Sequence, residues 1–209
     1  MKKIFSLFVI MVVVLFNGFM LFEGQIAGAA TYTADWIVAL NVTNASSFMC
    51  GHGMTTSTEL NMGSIPGLTG GDSIASTYCL VKTNNDLGWD LYLTDGDGTN
   101  GIMTDDSPNI IDAYPTTTPS VWVLDSTSSA YYGYSSVSPH SLGGHTSLDL
   151  YSGLTNTTTD PSALIAGNSD QTSAAGERTD INFQVQIGSG ANQPSGIYRS
   201  HVMATLVER

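Results

Sequence analysis

The chain has 209 residues, 42% of them hydrophobic and only 11% charged, so it can bury a core and is not a generically disordered polymer. Six Lys and Arg against 18 Asp and Glu leave a net charge of −12, which argues against nucleic acid and polybasic membrane contact, because phosphate binding needs clustered cations. Thr, Val, Ile and Tyr outweigh the helix formers Lys, Glu and Gln, which argues against a helical bundle.

The N-terminus opens with Lys2 and Lys3, then an apolar run from Ile4 to Phe22 broken at Asn17-Gly18. Glu23 ends the run, and the small-x-small site Ala27-Gly28-Ala29 follows. That order predicts a secretory signal peptide over residues 1–30, cleaved after Ala29 or Ala30. An uncleaved anchor is the alternative, because the apolar run approaches bilayer-spanning length. Cleavage removes Lys2, Lys3 and Glu23 and leaves 4 basic and 17 acidic residues in the mature part. Export to an oxidising compartment also explains the two cysteines, Cys50 and Cys79, as one disulfide. A metal site at Cys50-Gly51-His52 is the rival, but its spacing matches no zinc pattern.

The first mature segment, Trp36-Ile37-Val38-Ala39-Leu40-Asn41-Val42, is β-branched and apolar, and reads as one strand buried on both faces. Leu60–Gly63 reads as a short extended piece. Ser76–Thr83 alternates, with Tyr78 and Leu80 on one face and Cys79 and Val81 on the other. The turn Asn84-Asn85-Asp86 leads to Trp89–Thr94, with Trp89, Leu91 and Leu93 on one side, and the pair predicts a hairpin. Ile110-Ile111 and Val121–Leu124 are short strand candidates. From Asp125 to Asn168 the pattern fades into Ser, Thr, Gly and Tyr, and Tyr131-Tyr132-Gly133-Tyr134 reads as an edge strand or an exposed aromatic patch. Ile181–Ile187 alternates apolar and amide residues without a break. Ile197–Val207 reads as the last strand, with Tyr198, Val202, Ala204 and Leu206 on one face. Short strands separated by turn signals predict an all-β fold: residues 31–209 as a single immunoglobulin-like β-sandwich of mainly antiparallel strands.

Three stretches carry a family likeness: Leu60-Asn61-Met62-Gly63-Ser64-Ile65-Pro66, Asn85-Asp86-Leu87-Gly88-Trp89-Asp90-Leu91-Tyr92-Leu93, and Pro194-Ser195-Gly196-Ile197-Tyr198 with the strand that follows. Their order resembles the WxL-type cell-surface domains of bacteria, and more widely the secreted β-sandwich surface and fibre subunits. Trp89-Asp90-Leu91 fits the first tripeptide of the WxL pattern. Tyr198 and Leu206 stand where its Tyr and final Leu belong, but Ala204 replaces the second Trp. The resemblance implies a surface sandwich, with peptidoglycan binding as the role attributed to the family's Trp motifs.

Asp95-Gly96-Asp97-Gly98-Thr99-Asn100-Gly101 is the candidate ligand loop. Oxygens at alternating positions of a Gly-rich turn suit calcium, with Asp95, Asp97, Asn100 and Asp106 as its donors. A solvated turn is the alternative. No other cofactor is expected. His52, His140, His145 and His201 are scattered, and no G-x-S-x-G, H-E-x-x-H or P-loop occurs, so the chain is expected not to be an enzyme. Asn41-Val42-Thr43 and Asn156-Thr157-Thr158 fit the glycosylation sequon. The chain reaches Arg209 directly after the last strand with no apolar tail, so retention at the cell is expected to be non-covalent or through polymerisation. The expected partners are further copies of the chain or other cell-envelope proteins, with wall glycan as the alternative and no nucleic acid. The residues expected to make those contacts are Trp36, Ile37, Val38, Leu40 and Val42, as a strand donated to a neighbour, and the aromatics Trp89, Trp122, Tyr131, Tyr132 and Tyr134.

Overall fold

The computed structural model describes residues 31–35, 40–42, 46–51, 59–105, 109–160 and 163–209. Thr31–Arg209 forms one compact unit built from strands, with no α-helix among the described residues. The strands are β1 (Thr31–Asp35), β2 (Leu40–Val42), β3 (Ser46–Gly51), β4 (Gly71–Thr83), β5 (Trp89–Asp95), β6 (Met103–Thr104) and β7 (Ile110–Ala113). They continue as β8 (Ser120–Val121), β9 (Ala130–Val137), β10 (Ser147–Ser152), β11 (Leu164–Asn168), β12 (Glu177–Ile187) and β13 (Val202–Glu208).

Two sheets form an all-β sandwich. The smaller has the order β1-β13-β5-β11 and the larger β2-β3-β4-β12-β9-β10-β8, with β7 running parallel to the start of β9. The larger sheet is organised on β12, which pairs with β4 from Glu177↔Val81 to Ile187↔Gly71, and with β9 from Asp180↔Val137 to Ile187↔Ala130. The alternation read in Ile181–Ile187 is borne out: Ile181, Phe183, Val185 and Ile187 point inward and are buried. Trp89, Leu91 and Leu93 of β5 face them from the smaller sheet, with Ala204 and Leu206 of β13 and Ile165 of β11. At one end a polar clasp joins the layers. Thr83 Oγ1 donates to Glu208 Oε1 at 2.7 Å, and Ser46 Oγ lies within hydrogen-bond reach of both Thr83 Oγ1 and Glu208 Oε1, between which its one hydroxyl proton is shared.

The disulfide is present. Cys50 and Cys79 are register partners on β3 and β4, with Cα atoms 4.1 Å apart and both side chains buried. Such a bond tolerates the oxidising conditions outside the cytosol.

Several expectations are corrected. Of the segment read as one strand over Trp36–Val42, the described part, Leu40–Val42, forms β2, and β1 lies upstream of it in the other sheet. Trp36, Ile37 and Val38 lie outside the described residues. The predicted hairpin does not form. β4 pairs with β3 and β12 in the larger sheet, whereas β5 pairs with β13 and β11 in the smaller one. Gly88, at φ +95°, lets the turn carry the chain between layers, and a Cβ there would run into the Asn168–Ser169 backbone. Leu60–Gly63 is irregular, and the last strand starts at Val202 rather than Ile197. β9 is neither an edge nor an exposed patch. It lies inside the larger sheet between β12 and the pair β10 and β7.

Candidate functional site

Three regions can carry function: the N-terminal edges, a cleft at one end of the sandwich, and the aromatic outer face. β1 closes one edge of the smaller sheet through five register pairs, from Thr31↔Val207 to Asp35↔Met203. β2 closes one edge of the larger sheet through three pairs, from Leu40↔Phe48 to Val42↔Ser46. Among the described residues each has a single neighbour, so β1 and β2 are the outermost strands described on their sides.

The cleft arises from unequal strand lengths. β4 and β12 span 13 and 11 residues, while β5 and β13 span 7 each. Where β4 begins and β12 ends, irregular segments replace the smaller sheet as cover, and a cleft of about 1070 Å³ remains. Its floor includes Met103, Ile111, Tyr132, Phe183, Val185 and Ile187, none of them charged. Tyr132 stacks on Phe183 with centroids 6.0 Å apart, and burial pushes its phenol far above the usual tyrosine range. The walls are tied to one another. Gln193 N donates to Gly67 O at 3.0 Å, and Gln193 Nε2 donates to Ile110 O and Tyr198 Oη at 2.9 Å each. At the rim, Arg199 Nε lies 3.9 Å from Glu59 Oε1, with both side chains largely exposed, and Leu68 and Ile197 project into solvent. Sequence reading missed this site, because its walls come from irregular segments that lack any period, and the alternation of β12 gives no sign that its end stands uncovered by the smaller sheet.

The expected aromatic contacts divide. Trp89 and Tyr134 are fully buried and Tyr132 is 3% exposed, so these three belong to the core and are corrected as partner contacts. Strand alternation on an interior strand turns them inward. Tyr131 and Trp122 lie on the outer side, half-buried. Tyr131 Oη donates to Asp125 Oδ2 at 2.9 Å, and Trp122 Nε1 donates to Gln186 Oε1 at 2.5 Å. The Trp122 ring stacks on Tyr114 at 4.4 Å and meets Tyr151 edge-on at 5.2 Å. It also covers Gly133, where a Cβ would come within 3.2 Å of the indole. Leu40 and Val42 sit on the edge strand β2.

The acidic loop closes on its own donors. Asp95 is 3% exposed, and its carboxylate accepts from Asp97 N, Gly101 N and Thr99 Oγ1 at 3.2–3.3 Å. Asp97 Oδ1 accepts from Thr99 Oγ1 at 2.7 Å and from Thr99 N at 3.1 Å. Burial, reinforced by a hydrogen bond shared with Asp97, pushes the Asp95 carboxyl above the usual range. At Asp97 burial pulls the same way, but is outweighed by hydrogen bonds from Asp95 and Thr99, which hold it lower. Asn100 takes φ +62° at the tip, and Asp106 lies outside the described residues. Among the described residues no three His, Cys, Asp or Glu side chains gather as a metal site.

The scattered histidines differ in their surroundings. His145 is fully buried and stacked on Tyr134, with Nε2 3.2 Å from its hydroxyl. His140 lies 3.3 Å from Glu177 on the surface, and His52 lies outside the described residues. Comparison of the chain with protein-family models, with curated proteins and with solved structures finds no match.

Proposed function

We propose that the chain is an exported, non-catalytic structural protein of the cell envelope, whose copies join by exchanging the N-terminal segment Thr31–Val42. The observation that carries this reading is the position of β1 and β2, each on the edge of a different sheet with a single neighbouring strand among the described residues. An edge strand is held by one ladder only, so releasing it breaks the fewest main-chain hydrogen bonds. Its departure opens β13 and β3 to the same strand from another copy, paired by the same backbone groups. The disulfide and the ladder between β4 and β12 do not involve the segment, so the rest of the sandwich stays stapled while it moves. Exchange from copy to copy is open-ended and produces filaments.

The test is negative-stain microscopy of the purified chain with and without a synthetic peptide of residues 31–42 in excess. The expected result is filaments that shorten as the peptide caps open edges. Filaments indifferent to the peptide, or a monomer at every concentration, would overturn strand exchange.

A second reading, a module that holds wall glycan, draws on Trp122 and Tyr131, the expected contact rings that remain at the surface. Co-sedimentation with cell-wall sacculi, lost in Trp122→Ala, is its expected signature.

A further inference from the structure

The cleft and the β4–β5 turn lie at opposite ends of the sandwich. Gly71, where β4 begins, pairs with Ile187 beside the cleft, and Thr83, where β4 ends, leads into the turn. Twelve steps of strand separate the two ends by about 40 Å. The turn carries an oddity for a polar loop: Leu87 is 65% exposed. It is also held rigidly. Asn85 Oδ1 accepts from Leu87 N at 3.0 Å, and Asn85 Nδ2 donates to Arg209 O at 2.9 Å and to Gly88 O at 3.3 Å. A preorganised apolar tip loses little freedom on docking.

We propose that the cleft receives this turn from a second copy, with Leu87 entering the apolar floor and Asp86 meeting Arg199 at the rim. Charge supports this occupant. Two copies of a chain with net charge −12 repel unless a cation is presented locally. Of the four Lys and Arg in residues 31–209, Arg178 and Arg209 each lie 2.5 Å from a carboxylate of their own chain, Asp180 and Asp90 respectively, and Lys82 lies near the far end of β4, whereas Arg199 lines the cleft and stands 3.9 Å from Glu59. The incoming Asp86 is exposed beside Leu87 and supplies a second carboxylate. Leu68 and Ile197, exposed at the mouth, would be covered by the same contact. Because knob and socket lie at opposite ends, the contact is heterologous and leaves a free knob and a free socket on each pair, so further copies add head to tail.

The inference rests on the reading that copies of the chain associate, but not on strand exchange, and the experiment separates the two. Association of the purified full chain is followed by analytical ultracentrifugation over a concentration series. Leu87→Asp is expected to weaken it about 10- to 100-fold, the worth of one buried leucine. Arg199→Glu is expected to weaken it about tenfold, and adding Asp86→Arg to that variant to restore it. Mixing the Leu87→Asp chain, whose socket is intact, with the Arg199→Glu chain, whose knob is intact, is expected to give mixed dimers that form more tightly than either variant associates with itself. Unfolding midpoints equal to the parent's show that the surface variants fold. Association unchanged in Leu87→Asp but abolished by the 31–42 peptide overturns the socket and leaves strand exchange standing. The reverse pattern overturns strand exchange and leaves the socket. A parent chain that stays monomeric, or whose cleft takes up laurate as a monomer with no effect of Leu87→Asp, overturns the socket as well.

Discussion

Trp89 shows how one side chain serves the core. It opens β5, is fully buried and packs among Leu91, Leu93 and Ile165. Its indole N–H finds no hydrogen-bond partner among the described residues, so the ring contributes through packing alone. Trp89→Ala is therefore expected to cost about 3–5 kcal/mol, from lost burial plus the cavity left behind. Trp89→Phe removes the unpaired donor along with part of the ring and should cost markedly less. Urea unfolding of the two variants checks this, and equal losses would show that the indole nitrogen is paired after all. Gly88, next to it, is legible in the sequence as a turn glycine. That its turn crosses between layers is not, because a dipeptide carries no record of which sheet receives the next strand.

At the scale of elements, the disulfide fastens β3 to β4 and closes a loop spanning a sequence separation of 29. β3 has six residues, with β4 on one side and the three-residue β2 on the other, so its ladder is short and the cross-link matters. Reduction, or Cys50→Ala with Cys79→Ala, is expected to lower stability by about 3–4 kcal/mol in the chain-entropy account. The readout is the urea midpoint with and without reductant, and an unchanged midpoint would refute it. β9 illustrates where element reading stops. Tyr-Tyr-Gly-Tyr is compatible with an edge or an interior strand, and the choice falls to β12, which pairs eight consecutive residues with it. The bulges between β9 and β10, and between β11 and β5, left no sequence period to follow.

Across the whole molecule, Tyr132 and Tyr134 are both buried, and desolvation raises both phenols well above the free value near 10. A group whose folded pKa is raised supports stability fully below its unfolded pKa and loses that support as pH climbs towards the folded one. Stability is therefore expected to hold up to about pH 10, then fall by about 1.4 kcal/mol per pH unit for each ring. Urea midpoints between pH 8 and 12 test this, with Tyr134→Phe flattening the alkaline slope. A midpoint that stays level to pH 12 would refute it.

By itself the sequence determined the class of the fold, the inward set Ile181, Phe183, Val185 and Ile187, and the pairing of the two cysteines. These follow from the two-residue period of a pleated strand and from having two thiols to join, both of which are local or countable. Only the tertiary structure decided that β4 and β5 lie in different sheets, that β1 and β2 bound opposite layers, and that an apolar cleft opens where β4 and β12 outrun β5 and β13. Those outcomes depend on which distant strand offers the longest ladder and the best burial, a competition among segments far apart in the chain that no window along it can register.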